Sequence, residues 1–200
     1  MYKNSLQIYE FLNTKNLLKN SPKEWWPNAG TFEVVVGAVL TQNTTWKNVE
    51  KSLKNLEDFL DLSSFVSLHV EVLKEKIRPS GLYNQKAPRL LTSAQNIQNE
   101  FGNFESFQKN VTRKWLLSQL GIGQESADAI LCYACFRAEM VVDSYTKRLL
   151  KKFDLEFKTY MQYKEFLEYD FKKDFTCKEL HIIYARYHGM IVEYNKITKL

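Results

Sequence analysis

Several features are scarce in this 200-residue sequence, and each scarcity excludes a class of protein. Seven glycines and four prolines are too few for the turns that a β-sandwich or β-barrel needs roughly every 8–12 residues. An apolar run of about 18 residues, the length of a membrane-spanning helix, does not occur, so no membrane partner is expected. The opening residues MYKNS lack the apolar stretch of a secretory signal. The three cysteines, Cys132, Cys135 and Cys177, are an odd number, which favours free thiols in a reducing compartment.

The residues that are abundant describe an ordinary globular chain. Hydrophobic residues make up 44% and aromatic residues 14%, a composition that folds around a core and excludes disorder. The formal net charge is +5. This charge is compatible with a polyanionic partner but does not establish one, since many basic proteins bind none.

Apolar residues recur at helical spacing along most of the chain, which predicts an all-α fold. The first helix is expected to end near Ser21 and Pro22. The β-branched segment 32–40 could be a strand, but no partner strand is evident, so we interpret it as a buried helix. Further helical stripes lie at 49–60, 90–97, 115–120, 127–134 and 180–194.

A Gly-apolar-Gly turn, Gly121-Ile122-Gly123, lies between two of these stripes. Glycine permits a positive φ and close backbone approach, and the apolar residue can plug the hairpin against its helices. The backbone N–H groups at the next helix start carry partial positive charge and suit a phosphate. Such contacts grip nucleic acid without distinguishing its sequence. The alternative is a turn that only joins two helices.

Asp143 follows the apolar run Met140-Val141-Val142 and precedes an amphipathic stretch, the pattern of a helix start. It could be a simple N-cap that stabilises the helix by about 1 kcal/mol. A fixed carboxylate can also stabilise the oxocarbenium-like charge that develops when a glycosidic bond breaks, and can orient a water. The two roles are compatible, because a helix start holds the side chain rigid.

Together these motifs resemble those of the endonuclease III-like helix-hairpin-helix DNA glycosylases. The sequence Gln119-Leu120-Gly121-Ile122-Gly123-Gln124-Glu125-Ser126-Ala127 is similar to the family's hairpin, and Val142-Asp143-Ser144-Tyr145 to its V-D-T-H segment. Two further runs match in order: Leu40-Thr41-Gln42-Asn43-Thr44 and Gly81-Leu82-Tyr83-Asn84-Gln85-Lys86-Ala87. The segments Trp25-Trp26-Pro27-Asn28-Ala29 and Arg78-Pro79-Ser80-Gly81, with Trp46, resemble the small 3-methyladenine glycosylases of epsilon-proteobacteria.

The resemblance implies two interlocked helical lobes with a cleft between them. One lobe would span 30–133, with the hairpin near 115–133, and the other would combine 1–29 with 134–200. It implies that Asp143 is catalytic and that Gln42 fills the space of a flipped base, although Gln42 could instead be a buried amide. The base pocket would include Trp25, Trp26, Pro27 and Trp46, with Lys196 a weaker candidate from family position alone. The DNA backbone would contact Gly121, Ile122, Gly123, Gln124 and Ser126.

Departures from the family pattern also carry information. Glu125 stands where bifunctional members have a Schiff-base lysine, which favours a monofunctional glycosylase with water as the nucleophile. The [4Fe–4S] cluster of the family needs four cysteines near the C-terminus, where only Cys177 lies, so no cluster is expected. Cys132 and Cys135 form one C-x2-C pair without further ligands, so buried thiols are favoured over zinc and no metal is expected.

The resulting hypothesis is a monofunctional glycosylase that excises alkylated purines, 3-methyladenine foremost. Such a base is cationic and a good leaving group, and tryptophan faces favour a positive charge. The three pocket tryptophans could alternatively be core residues. The partner would be double-stranded DNA with damaged bases, bound by a monomer in the bacterial cytoplasm at the nucleoid. Alternative functions are an endonuclease III-like lyase on oxidised pyrimidines and a non-catalytic DNA-binding module. His181 and His188, seven residues apart, are interpreted as structural, and the basic residues after Asp143 as phosphate contacts or a solvated face.

Overall fold

The structure, a computed structural model, describes residues 4–173 and 175–199, and over these residues it contains helices and no strand. The predicted all-α fold is thereby confirmed. The α-helices of the described chain are α1 (Ser5–Asn13), α2 (Phe32–Leu40), α3 (Trp46–Asn55), α4 (Leu62–Val66), α5 (Val70–Ile77), α6 (Tyr83–Phe101), α7 (Phe104–Asn110), α8 (Arg113–Ser118), α9 (Gln124–Ala129), α10 (Ser144–Lys152), α11 (Tyr160–Tyr169) and α12 (Cys177–Thr198). Short 3-10 helices lie at Glu57–Phe59 and Arg78–Ser80, and a π-helical turn at Ile130–Ala134. Within the described residues, no helix is long and apolar enough to cross a membrane.

The β-branched segment 32–40 forms α2, as predicted. Every residue of α2 except Glu33 is buried. A helix surrounded on all sides needs no polar face, so apolar side chains cover its whole circumference. This explains why its sequence has the composition of a strand without being one.

The prediction that the first helix continues to Ser21 is wrong, because α1 ends at Asn13. The next residues form turns, with the N–H of Lys15 donating to Leu12 O and that of Asn16 to Asn13 O. Asn16 then takes a left-handed conformation at φ 53°. Asparagine tolerates this conformation better than most residues, and it redirects the chain, so Leu18 is buried without belonging to the helix.

The chain divides into two compact units. The central unit is Gly30–Ile130, and the terminal unit combines Met1–Ala29 with Leu131–Leu200. The first contains the Gly121-Ile122-Gly123 turn, and the second contains Asp143. We describe each unit separately.

In the central unit the long helix α6 packs against α2, α4, α5 and α7, while α8 packs against α9. Lys86 on α6 is buried, and its Nζ donates to the carbonyl oxygens of Leu40 and Ser80, each at 2.8 Å. Burial lowers the pKa of Lys86 to about 8. These bonds fasten the end of α2, two residues before Gln42, to α6.

In the terminal unit α12 packs against α1 and α10, and α1 also packs against α11. Their core contains Leu12, Leu149, Leu167 and Tyr187 among other buried residues. The segment that leads to Asp143 is fastened by a polar cluster on α11. Lys164 pairs with Glu139, and Glu168 Oε1 accepts the N–H of Met140 at 3.0 Å. This cluster fixes the direction in which the chain reaches Asp143.

Candidate active site

Asp143 caps the N-terminus of α10. Its Oδ1 accepts the backbone N–H of Thr146 at 2.7 Å and the Thr146 hydroxyl at 2.9 Å. The N-cap interpretation is therefore correct. Asp143 is also buried, with 9% of its surface exposed, which is unusual for a carboxylate whose only task is to cap a surface helix.

The second carboxylate oxygen of Asp143 faces a histidine. His188 on α12 brings its Nε2 to 3.3 Å from Oδ2, and the ring is buried. Burial by itself would raise the pKa of Asp143, but the charge and hydrogen bond of His188 and the two bonds from Thr146 lower it below its ordinary value. The carboxylate is therefore held ionised inside the protein.

An aromatic cluster adjoins this pair. The ring of Trp25 meets the His188 ring edge to face at 5.4 Å between centroids, and Trp26 lies 5.0 Å from Tyr133. Trp25 and Trp26 contact each other at 6.2 Å, and Tyr133 lies 6.0 Å from Trp25. The structure thus connects Trp25 to Asp143 through His188, and Trp26 joins this cluster through its contacts with Trp25 and Tyr133.

The backbone around Trp25 is adapted to this contact. Trp25 has φ 67°, a left-handed conformation that costs free energy for a bulky residue. Its indole lies directly on the backbone of Gly189, where a Cβ atom would overlap the ring. A glycine next to His188 is therefore required for Trp25 and His188 to pack together.

A carboxylate links Trp25 to Lys196. The indole N–H of Trp25 donates to Glu193 Oε1 at 3.3 Å, and Lys196 Nζ lies 2.9 Å from the same oxygen. Lys196 is exposed, as is Pro27, the other predicted pocket residue of this unit. Glu193 was not among the residues predicted from the sequence, because nothing in its local sequence distinguishes it from a solvated helix residue.

The hairpin of the central unit has the predicted turn geometry. Gly121 has φ 90°, and the N–H of Ile122 donates to Gln119 O at 3.1 Å. Ile122 is 6% exposed, so it plugs the hairpin as expected, whereas Gly123 and Gln124 are exposed at the start of α9. The backbone at this helix start is therefore accessible.

Gln42 is anchored on the hairpin. Its side-chain amide donates to Gly121 O at 2.9 Å and to Ser126 Oγ at 3.0 Å. Ser126 is buried, and its hydroxyl in turn donates to Ala38 O at 3.3 Å. The Ser126 hydroxyl thus holds Gln42, and the predicted contact of Ser126 with the DNA backbone stays a prediction. Trp46, also in the central unit, is the first residue of α3 and is half-buried.

Two helices of the hairpin are clamped by an ion pair that the sequence analysis missed. Arg113 on α8 makes a two-point contact with Asp128 on α9, with Nε to Oδ1 at 2.7 Å and Nη2 to Oδ2 at 3.1 Å. Asp128 is completely buried. The sequence analysis identified the helical stripe at 127–134, but nothing in that pattern indicated which residue pairs with Asp128.

The cysteines show no metal-site arrangement in the part of the chain that the structure describes. Among these residues, no group of three or more His, Cys, Asp or Glu side chains is placed to hold a metal ion. Cys132 is buried and Cys177 is exposed. Burial raises the pKa of Cys135 to about 12, so this thiol stays protonated. The expectation that no iron–sulfur cluster is bound remains a prediction.

Comparison with known proteins agrees with these observations. The family model described as HhH-GPD superfamily base excision DNA repair protein matches residues 36–173. A Methanocaldococcus jannaschii protein that carries the name DNA repair glycosylase is 43% identical over 183 residues, 87% of this chain and 80% of the relative. A crystal structure of an H. pylori 3-methyladenine DNA glycosylase (MagIII) bound to 1,N6-ethenoadenine has a TM-score of 0.92 and 44% identity, covering 99% of each chain.

A more distant structure shows the same fold. An endonuclease III trapped in a covalent intermediate with DNA has a TM-score of 0.75 at 18% identity, covering 98% of this chain and 88% of the other. The family model covers more than half of the chain, and the M. jannaschii relative is similar over most of its own length. The chain therefore belongs to the HhH-GPD superfamily of base excision DNA repair proteins and is a DNA glycosylase.

Proposed function

We propose that this glycosylase is monofunctional and excises alkylated purines, 3-methyladenine foremost, with Asp143 as the catalytic residue. The observation that supports the proposal most strongly is that Asp143 is buried and ionised and that His188 contacts both this carboxylate and the Trp25 ring. The H. pylori structure, whose name specifies 3-methyladenine and whose bound molecule is a modified adenine, supports the same substrate class.

The state of Asp143 suits stabilisation of a cationic sugar. As the N-glycosidic bond breaks, positive charge develops on the sugar, and a fixed carboxylate lowers the free energy of that state. A pKa below the ordinary value keeps Asp143 negative at neutral pH. The same carboxylate can orient the attacking water or accept its proton. Glu125 is exposed and cannot form a Schiff base, which supports water as the nucleophile and the absence of lyase activity.

The aromatic cluster suits a cationic leaving base. An indole face attracts a positive charge, an interaction worth roughly 0.5–2 kcal/mol, and stacking of a base on an aromatic ring adds about 1–3 kcal/mol. The Glu193 carboxylate accepts the Trp25 N–H and so holds the indole in place, while Lys196 pairs with the same oxygen. A neutral oxidised pyrimidine gains less from the indole face. Pro27 and Lys196, which are exposed in the same unit, are proposed to complete this pocket. For Trp46, in the central unit, contact with the base stays what the family resemblance implies.

The central unit supplies the proposed grip on DNA. The exposed start of α9 at Gly123 and Gln124 is proposed to offer backbone N–H groups to phosphates, with Gly121 and Ile122 forming the turn that presents it to the DNA backbone. Ser126 contributes by fixing Gln42, which fills the space left by the flipped nucleotide. We expect a monomer to act on double-stranded DNA in the bacterial cytoplasm at the nucleoid.

The experiment incubates the protein with DNA treated with a methylating agent and identifies the released bases by chromatography. The proposal predicts free 3-methyladenine, and no covalent protein–DNA adduct after borohydride treatment. Release of oxidised pyrimidines with a trapped adduct would instead establish an endonuclease III-like lyase. Tight, salt-sensitive DNA binding without release of any base would establish a non-catalytic module.

A further inference from the structure

We propose that His188 is a positioning residue that holds the Asp143 carboxylate through an Nε2–H bond, and that Tyr133 keeps the imidazole in the required tautomer. The inference rests on the proposed function, since it identifies the residues that position the Asp143 carboxylate beside the sugar. It arises from three contacts of one buried ring: with Asp143, with Tyr133 and with Trp25.

The two oxygens of Asp143 are held by different parts of the terminal unit. Oδ1 accepts two bonds from Thr146, three residues further along the same helix start. Oδ2 faces Nε2 of His188, which comes from α12. The two bonds to Oδ1 restrict rotation about the Cβ–Cγ bond of Asp143, and a second contact from another helix narrows the range of that torsion further. His188 therefore helps to hold the plane of the carboxylate and the direction in which Oδ2 points.

Among the described residues, none makes a well-formed hydrogen bond with the buried Nε2 of His188, and this atom faces Asp143 Oδ2. At 3.3 Å the contact with Oδ2 is longer than a good charge-assisted bond, which is about 2.7–2.9 Å. Hydrogen bonds of catalytic groups are often long in the absence of substrate and shorten when it binds. A lone pair on Nε2 would repel the carboxylate, so the contact requires the proton on Nε2.

Tyr133 determines where the other proton lies. Its hydroxyl oxygen is 2.7 Å from His188 Nδ1 and 3.1 Å from Ala185 O. When the hydroxyl donates to Nδ1, the neutral imidazole carries its single proton on Nε2. When it donates to Ala185 O instead, it accepts from Nδ1–H, and a neutral ring then has no proton on Nε2. The arrangement that serves Asp143 is therefore the one in which Tyr133 donates to Nδ1.

The surroundings keep this arrangement intact. Burial, followed by the nearby Cys132 and Asp143, raises the pKa of Tyr133 well above its ordinary value, so its hydroxyl keeps its proton. Among the described residues, the titratable groups beside Asp143 are His188 from α12 and Tyr133 from the π-helical turn. His188 in turn faces Asp143, Tyr133 and the indole of Trp25. The His188 ring contacts both Trp25 and Asp143, so it would fix the position of a base stacked on Trp25 relative to the Asp143 carboxylate.

The pH dependence of base release distinguishes positioning from simple packing. His188 favours the ionised form of Asp143, so its removal should raise the pKa of that carboxyl group. Activity that requires ionised Asp143 falls as pH decreases through this pKa. As the pH is lowered, variants without the Nε2–H bond should therefore lose activity at a higher pH than the wild type. A packing defect alone would lower the rate without shifting the acid limb of the pH–rate profile.

The test measures single-turnover release of 3-methyladenine across pH, together with DNA affinity, for four variants. His188→Phe removes the donor, His188→Gln keeps an N–H near the Nε2 position, and Tyr133→Phe removes the hydroxyl. His181→Phe is the matched control, because His181 is a second buried histidine of α12 whose ring packs against Phe136. We expect His188→Phe to slow release by roughly 10- to 100-fold, the range for loss of a hydrogen bond to a charged group. DNA affinity should be unchanged.

The expected order of the shift in the acid limb is His188→Phe largest, then Tyr133→Phe and His188→Gln, and none for His181→Phe. The inference is overturned when a folded His188→Phe keeps the wild-type acid limb or, where His188→Phe does not fold, when Tyr133→Phe keeps both the wild-type acid limb and the wild-type rate. Its failure is distinct from failure of the proposed function. An Asp143→Asn variant that still releases 3-methyladenine would refute the function, whereas an inactive Asp143→Asn with unshifted histidine and tyrosine variants would refute only the role of His188.

Discussion

The two units hold their functional groups in opposite ways. In the central unit, the hairpin exposes backbone at Gly123 and Gln124, while a buried ion pair and the Gln42 amide support it from below. In the terminal unit, Asp143 is itself buried, with Oδ1 bonded to Thr146 and Oδ2 facing His188. Backbone N–H groups that bind phosphates must be exposed at the surface, where the DNA backbone can reach them. A carboxylate that stabilises a developing cation is more effective where water is excluded. Burial of that charge then demands partners from several helices.

The largest expected effect comes from the charge buried beneath the hairpin. Arg113→Leu removes both hydrogen bonds that Arg113 donates to the completely buried carboxylate of Asp128. We expect the free energy of unfolding to fall by about 3 kcal/mol, at the lower end of the range for a broken buried pair because Arg113 is partly exposed. Urea denaturation measures the change. Lys109→Leu, which breaks the exposed pair with Glu105, is the control and should change stability by less than about 0.5 kcal/mol. Equal effects of the two substitutions would show that the clamp is not important for the hairpin.

The next effect compares glycines of the two units. Gly189→Ala forces a Cβ atom into the Trp25 ring, so we expect a loss of about 1–3 kcal/mol in stability and slower base release. Gly123→Ala adds a methyl group where no atom lies within 4 Å, and it should cost less than about 1 kcal/mol. Thermal unfolding and single-turnover assays test both. A Gly189→Ala protein as stable and active as the wild type would mean that Trp25 does not depend on this contact.

A smaller effect is expected from the support of Gln42. Ser126→Ala removes one of the two acceptors of the Gln42 amide, and we expect base release to slow by roughly fivefold, equivalent to one hydrogen bond of about 1 kcal/mol. Because the serine acts through the glutamine, Ser126→Ala should have little further effect in a Gln42→Ala background. A double-mutant cycle measures this coupling. Additive losses would instead favour a direct contact between Ser126 and DNA.

The smallest effect is the contribution of Asp143 to stability as pH changes. Its pKa in the folded protein lies below the ordinary value of 3.8, so the ionised carboxylate stabilises the fold above that pH. The contribution is lost as pH falls through the lower folded pKa. We expect the stability difference between wild type and Asp143→Asn to be constant from pH 5 to 7 and to shrink in acid. A difference that grows as pH falls would contradict the lowered pKa. Asparagine caps helices as well as aspartate, so the comparison isolates the charge.

The features predicted correctly from the sequence are local ones. The hairpin turn, the plug at Ile122 and the cap at Asp143 each depend on residues within a few positions of one another. The apolar composition of segment 32–40 also sufficed to identify α2 as a buried helix. Local propensity and periodicity govern these features, and the sequence records both.

The features that were missed depend on contacts between distant parts of the chain. His188 lies 45 positions after Asp143, and the indole N–H of Trp25 meets Glu193 across 168 positions. Nothing local distinguishes His188, which supports Asp143, from His181, which packs against Phe136. The first helix was extended too far because Leu17 and Leu18 continue an apolar pattern, although the left-handed turn at Asn16 is what buries Leu18. Tertiary packing decides these outcomes.

The most direct test of the account is single-turnover release of 3-methyladenine by Asp143→Asn with enzyme in excess over DNA. Asp154→Asn, which changes an exposed aspartate shortly after α10, is the matched control. The account predicts a rate lower than that of the wild type by roughly 10²- to 10⁴-fold for Asp143→Asn, with DNA binding retained, and no change for Asp154→Asn. A wild-type rate in Asp143→Asn would contradict the central claim that this buried carboxylate stabilises the sugar as the base departs.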